Sequence, residues 1–490
     1  MAGQKRGTSL ETGDRTLPPT RQPMLAACRL PGTRARHVPA GLPGQDMPVR
    51  SMPALRSRST APAAVIAAAP PPGLGLRATT RFRLLAPFQS SSFRFQWPAD
   101  LLTSWGFEIE NLILGWYILV ETKSVVVLTL FGSLQYVGTL IAPLLGMAGD
   151  RIGHRTLMAA MRAYYAVLAA LLMTLAFAGV LRPGFVIGIA ALSGLVRMSD
   201  LATRNALVAE TMPVEHFVSA MGAERMTSDS ARAVAPLVGA GLFIALGMGR
   251  AYLAITLFYL VGFMLTLGVG GGRGARPADG GRRPSVWRDL RQGVHHVWDS
   301  PTSMAALLLA FLVNMTAFPF TSGLLPYVAR ELYHIDQTGL GSLIACFAVG
   351  ALLGSLTVSL ASRVLRPGRM MIVFALAWYA VLLVWAHMPD ATSGRLALVV
   401  AGLAQSLSLV PMSVMLLHGA GEFRGRVMGL RMLAIYGLPI GLLGAGWLIE
   451  RIGFPATATV YALVGMAATL AIALRWRAAL WASGARSSGG

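Results

Sequence analysis

The residues best placed to do chemistry in this chain are charges set among long apolar runs. A charge at mid-membrane costs about 3 kcal/mol or more on insertion scales, so each one inside such a run marks a candidate site. Glu108 and Glu110 stand in a run that opens near residue 99. At about 1.5 Å per residue both fall about 13–17 Å deep, near the middle of a bilayer. Two residues apart on a helix, they point about 200° from each other, so one of the pair is expected to face a cavity. Burial disfavours a charged carboxylate and lets it take and release a proton near neutral pH, which is what proton coupling requires. The alternative is a structural carboxylate bonded to Asn111, Asn314 or a neighbouring helix.

Two further sets of charge share this logic. Arg197, Asp200 and Arg204 form one helical stripe at i, i+3 and i+7, and Asp229 and Arg232 repeat the i, i+3 spacing. An internal ion-pair network is expected of them, shared with Asp150 and Arg162, either as a gate or as a static brace, with substrate contact as the lesser alternative. Aromatics such as Tyr164, Tyr165, Trp378 and Tyr379 are expected more often at lipid or interface belts than in a cavity. The adjacent His295 and His296 invite a metal reading. Neighbours on a helix diverge by about 100°, however, and no third ligand stands near, so no metal is expected.

The elements that must hold these charges follow from composition. Of 490 residues, 54% are apolar and 13% charged, about half the charged share of a soluble protein. The class is an all-α integral membrane protein. From Trp97 onward about twelve apolar spans are expected, each near the ~20 residues that cross hydrocarbon. They run over 99–120, 125–147, 156–181, 183–206, 218–246 and 250–270, then 302–327, 337–361, 368–388, 394–418, 425–449 and 454–476. Two cysteines, Cys28 and Cys346, give neither a disulfide framework nor a metal cluster.

Five segments result: an arm over 1–96, six spans over 97–270, a linker over 271–301, six spans over 302–478 and a tail over 479–490. The arm is basic and rich in Pro, Arg and Ala, a composition expected to be disordered. A later start at Met47 or Met52 is the alternative. The arm carries 14 Lys/Arg against 3 Asp/Glu, about half of the net charge of +21, so the charge does not imply nucleic-acid binding. In the linker, Trp287, Leu290, Val294 and Trp298 share one helical face with Arg288 and Arg291 opposite, as in a helix lying at a lipid surface. Arginines concentrate at alternate turns, which places both termini and the linker in the cytoplasm. Gly132-Ser133-Leu134 before Gly146 and Gly341-Ser342-Leu343 before Gly354 leave a trace of duplication between the two sets of spans.

The turn after the second span reads Gly146-Met147-Ala148-Gly149-Asp150-Arg151-Ile152-Gly153-His154-Arg155. It resembles the major facilitator superfamily signature G-x-x-x-D-R-x-G-R-R, with His154 where arginine is usual. Gly146 permits close helix approach and Gly153 a tight turn. The resemblance implies that Asp150, Arg151 and Arg155 form a latch between two six-helix halves. Gly323-Leu324-Leu325-Pro326-Tyr327 and Arg424-Gly425-Arg426-Val427-Met428 resemble the drug:proton antiporter branch that includes the enterobactin exporter and macrolide-efflux proteins. Pro236 and Gly239 lie in a segment similar to the antiporter signature of helix 5, with alanines at three of its four glycine positions.

The expectation is a monomeric inner-membrane secondary transporter that exports a small amphipathic compound against protons by alternating access. Uptake of a metabolite by the same fold is the alternative. A membrane-embedded enzyme or scaffold is remote, because no G-x-S-x-G, H-E-x-x-H or phosphate-binding loop is present and no cofactor is implied.

Overall fold

The computed structural model describes residues 86–270, 286–361, 366–419 and 424–481. The basic arm up to residue 85, the glycine-rich start of the linker and the last nine residues therefore lie outside the described residues. Helix dominates what is described, and no strand occurs among those residues. Before the linker run α1 (Ser91–Thr122), α2 (Val125–Leu134), α3 (Ala142–Ile152), α4 (His154–Phe177), α5 (Pro183–Thr211) and α6 (Val214–Leu267). Helix α7 (Val286–Asp299) carries the linker into α8 (Pro301–Thr316), α9 (Gln337–Ala361), α10 (Pro367–Trp385) and α11 (Ala391–Gly419). Helices α12 (Arg424–Leu433), α13 (Gly437–Ile452) and α14 (Phe454–Arg475) follow. Nine helices among the described residues are long and apolar enough to cross a membrane, or ten when α2 and α3 count as one bent span.

Three departures from the expected spans have physical causes. The first helix begins at Ser91, eight residues before the hydropathy edge at 99, and its polar content leaves it outside those nine apolar helices. The expected second span is broken: α2 and α3 are joined by 3-10 turns over Val137–Leu140 at a 45° bend. Gly138 of that bend lies against the backbone carbonyl of Leu195, where a side chain on either of the facing residues Gly138 and Gly194 would collide with main chain. The expected fifth and sixth spans meet without a loop inside the 54-residue α6, which is broken at Gly247 with φ 76°. Only glycine takes that conformation without strain, so one residue replaces a connection.

The core is a close helix packing in which small residues let backbones approach. Helices α9 and α11 cross where Gly350 faces the carbonyl of Val399 and Gly402 faces Phe347. Ser406 bonds the carbonyl of Ala351 at 2.7 Å across the same crossing. Such contacts replace the hydrophobic drive that lipid does not supply between helices. Tyr165, Trp378 and Tyr379 are buried inside the packing and not set at an interface belt; Tyr379 meets Thr316 at 2.6 Å. In α7, Val297 is buried while Val294 and Trp298 are exposed, and His295 pairs with Asp299 at 2.7 Å. No group that could hold a metal occurs among the described residues.

The helices before and after the linker join at one end of the molecule. Helix α13 packs along α2, and α9 packs along α6. Ser124 donates to Glu450 at 3.1 Å, Arg330 donates to the carbonyl of Leu119 at 2.7 Å, and Ser133 donates to the carbonyl of Pro439 at 3.2 Å. Gly341 of α9 comes against the carbonyl of Pro236 in α6. At the opposite end, α3 packs on α4 and α5, and α12 packs on α7 and α11, each within its own set.

Replacing Gly402 by valine should destabilise the protein by about 1–3 kcal/mol, because its new Cβ would sit 2.8 Å from the nitrogen of Ala351. Gly146→Val should shift the melting temperature far less, since nothing lies within 4 Å of a Cβ there. Thermal melts of the two variants in detergent micelles test the difference.

Candidate functional site

Two tiers of charge cross the helices that precede the linker. The first is sealed. Asp100 of α1 and Arg162 of α4 form an ion pair with both side chains fully buried. Arg204 of α5 reaches Asp100 at 3.3 Å, Asp200 at 2.9 Å and Glu224 of α6 at 3.8 Å. Arg162 also donates to Thr266 and, at 3.4 Å, to the carbonyl of Gly262, while Gln96 donates to the carbonyl of Arg204 at 3.3 Å. One knot of ion pairs thus ties together α1, α4, α5 and α6.

Of the seven charges expected to share a network, Arg162, Asp200 and Arg204 meet here. Arg197, Asp229 and Arg232 do not, and Asp150 stands apart. Asp100 and Glu224 are the members that sequence reasoning missed. Asp100 sits at the hydropathy edge of the first span, one residue inside its expected start at 99. Because α1 starts at Ser91, it is nine residues inside the helix. Glu224 carried a signal as a charge within a span, but nothing in the sequence showed that its face of α6 meets α5.

The second tier lies nearer the joined end. Glu108 is 14 residues before Thr122, Arg197 is 14 after Pro183, and Arg232 is 15 before Gly247. At about 1.5 Å per residue all three are about 21–23 Å from that end, close to mid-bilayer. Glu108 and Arg232 approach to 3.9 Å. Arg197 donates to Gln135 at 2.8 Å and lies 4.7 Å over the Phe107 ring; Gln135 in turn donates to Asn111 at 2.7 Å. Gln135 sits at the break between α2 and α3, so the bend that the sequence did not announce delivers a polar side chain to this tier. Asp229 pairs with Arg225 at 3.0 Å.

The paired glutamates diverge as helix geometry requires. Glu108 is part-exposed beside Arg232, whereas Glu110 is buried and accepts from Tyr259 at 2.8 Å. Asn314 bonds back to the carbonyl of Ala310 at 2.8 Å.

The turn over 146–155 occupies the unjoined end. Gly153 caps α3 with φ 87°, where glycine is the least strained residue. His154 meets Glu210 at 2.6 Å and Arg155 donates to the carbonyl of Leu267, which ties the turn to α5 and α6. The Asp150 side chain is 75% exposed, its nearest basic atom being on His154 at 3.9 Å. Among the described residues nothing lies within 4 Å of a Cβ at Gly146, contrary to the close approach expected. Leu144, Met147, Ala148, Arg151 and Ile152 line a shallow hollow on one face of α3. In α6, Pro236 and Gly239 are packing residues here: Pro236 backs Gly341, and a Cβ on Gly239 would lie 3.0 Å from Ile109.

A family model described as Major Facilitator Superfamily matches residues 97–438. The chain belongs to the major facilitator superfamily. Solved transporters share its fold at low identity. The nucleoside transporter NupG has TM-score 0.59 and 15% identity, over 80% of this chain and 99% of that one. A D-xylose-proton symporter gives 0.59 and 13%, over 78% and 96%. A bacterial homologue of the human lysosomal transporter Spinster, inward-facing and unoccupied, gives 0.56 and 13%, over 83% and 97%. No curated protein matches the chain. This superfamily member is therefore a multi-pass membrane transporter rather than an enzyme, carrying a small-molecule substrate.

Removing one partner from a buried ion knot leaves a charge uncompensated, at a cost of about 3–5 kcal/mol. Asp100→Ala should therefore destabilise the protein strongly, while Asp150→Ala should leave its melting temperature nearly unchanged. Equal shifts for the two variants in detergent would contradict the sealed geometry.

Proposed function

We propose that this protein is a proton-coupled secondary transporter moving a small amphipathic compound by alternating access, with Glu108 as the coupling carboxylate. The observation that carries the reading is the mid-depth tier. Glu108 lies part-exposed beside Arg232, one turn before the Pro236 of α6 that meets Gly341 in the second set of helices. A carboxylate at that depth has a reason to exchange a proton, and a guanidinium beside it gives the exchange a partner to release or recapture. Glu110, locked to Tyr259, serves as a structural anchor.

Arginine-rich turns place the Asp150 end in the cytoplasm, so the joined end is outside and the protein opens inward. In this reading the exposed Asp150, Arg151 and Arg155 turn is a latch in its released state. It would close against the second set of helices when the outer contacts of Ser124 and Arg330 part. The sealed Asp100–Arg204 knot keeps α1, α4, α5 and α6 together so that they swing as one body. Both termini lie in the cytoplasm and the membrane is a bacterial-type inner membrane.

The likeness to drug:proton antiporters supports export. The packing of Pro236 against Gly341 is by itself a sufficient reason for the small residues of that segment. Direction then follows from the substrate's charge. A compound that competes with the proton at Glu108 is exported by exchange, and one that binds together with the proton is carried inward.

The test is substrate-triggered proton movement in membrane vesicles, across a panel of organic anions, lipophilic cations and neutral amphipaths. Glu108→Gln should cut proton movement to below about a tenth of wild type, each decade being ~1.4 kcal/mol, while Glu110→Gln retains most of it. Wild-type proton movement in Glu108→Gln would sink the assignment.

A further inference from the structure

The space between the two sets of helices carries unbalanced charge. Arg197, Arg225, Arg232 and Arg431 stand against Glu108, Asp229 and, within electrostatic reach of Arg197, Glu110. Arg232 is 64% exposed at mid-depth, and its pair with Glu108 is long at 3.9 Å. Arg197 contacts the neutral Gln135 and the Phe107 ring, and none of the ion pairs among the described residues includes it, Glu110 acting on it only at longer range. Arg225 pairs with Asp229, and Arg431 of α12 comes within electrostatic reach of Arg225 from the opposite set.

No other acid among the described residues restores the balance. The carboxylate of Glu110 accepts from Tyr259 and reaches Arg197 only electrostatically, forming no ion pair with it. The acids of the sealed knot are committed to Arg162 and Arg204. The described spans after residue 302 bring no acid to mid-depth, because Glu331, Asp336, Asp390 and Glu450 all lie at or between helix ends. A cleft of one sign, walled by low-dielectric packing, concentrates the opposite charge. Guanidinium forks bind oxyanions with paired hydrogen bonds.

We infer that the chamber takes an organic anion, an apolar body bearing a carboxylate, sulfonate or phosphate group held by Arg232 and Arg197. This rests on the reading of that space as the substrate chamber. It also fixes a direction. A proton on Glu108 removes the negative charge that competes for Arg232, so proton and anion favour each other's binding, and by linkage the effect is mutual. They cross together, and an inward proton gradient drives the anion into the cell.

The experiment measures the sign of the chamber directly. Purified full-length protein with Cys28→Ser and Cys346→Ser receives one new thiol by Tyr136→Cys, beside Glu108, Arg197 and Arg232. Val137→Cys is the alternate position if the first variant misfolds. Modification by anionic 2-sulfonatoethyl methanethiosulfonate is compared with the cationic 2-(trimethylammonio)ethyl reagent, each rate divided by that for a free thiol. The anionic reagent should lead by about tenfold, Arg232→Gln should remove most of the lead, and Glu108→Gln should enlarge it. Naphthalene-2-sulfonate and decanoate should slow modification by the neutral methyl reagent, and decylamine should not.

Equal rates, a lead for the cation, or protection by decylamine alone would overturn the anion assignment, as would protection by none of these compounds. If no reagent reaches either thiol, including the neutral one, the open-chamber reading itself fails and the substrate class falls with it.

Discussion

The structure depends on neutralising charge where there is no water to do it. Asp100, Arg162, Asp200, Arg204 and Glu224 are all within 5% of full burial, on four different helices. Each would be prohibitive alone in hydrocarbon, and each is tolerable because its neighbours supply the opposite sign. Hydrophobic packing is weakly directional between lipid-bathed helices, whereas this knot accepts only one arrangement. It fixes which faces of α1, α4, α5 and α6 look inward.

Once those faces are set, the second tier follows. The face of α1 that presents Asp100 to Arg162 and Arg204 also places Glu108 toward Arg232 and Glu110 toward Tyr259. The 3-10 break between α2 and α3 turns Gln135 into contact with both Asn111 and Arg197. A regular helix through residues 125–152 would carry the same glutamine elsewhere. The sealed tier is rigid and the open tier is accessible, a division of labour suited to a body that moves as a unit around a binding space.

The joined end explains how two such bodies stay together while one end stands apart. Contacts there are small-residue crossings and a few exchangeable hydrogen bonds, such as Ser124 with Glu450 and Arg330 with Leu119. No buried ion pair crosses between the sets among the described residues, the pairs that are buried being confined to the first set. Separation therefore strands no charge, which keeps the barrier to parting low.

Much of this was legible in the sequence. Apolar runs near twenty residues pointed to an all-α membrane protein, and the turn over 146–155 pointed to the family, because both signals are local and additive along the chain. Helical periodicity alone predicted that Glu108 and Glu110 diverge. The membership of the knot was not legible. Asp100 was masked by a hydropathy edge that the helix ignores, and Glu224 was one charge among several in its span. Arg197 left its own stripe for Gln135 and a ring face, and the exposed Asp150 reached only His154. Pairing is decided by which helix faces meet, a matter of tertiary contacts between residues a hundred or more positions apart, such as Gln96 with Arg204 and Glu110 with Tyr259. Sequence determines which charges enter the membrane; only the packed fold decides which are sealed against each other and which are left to meet a substrate.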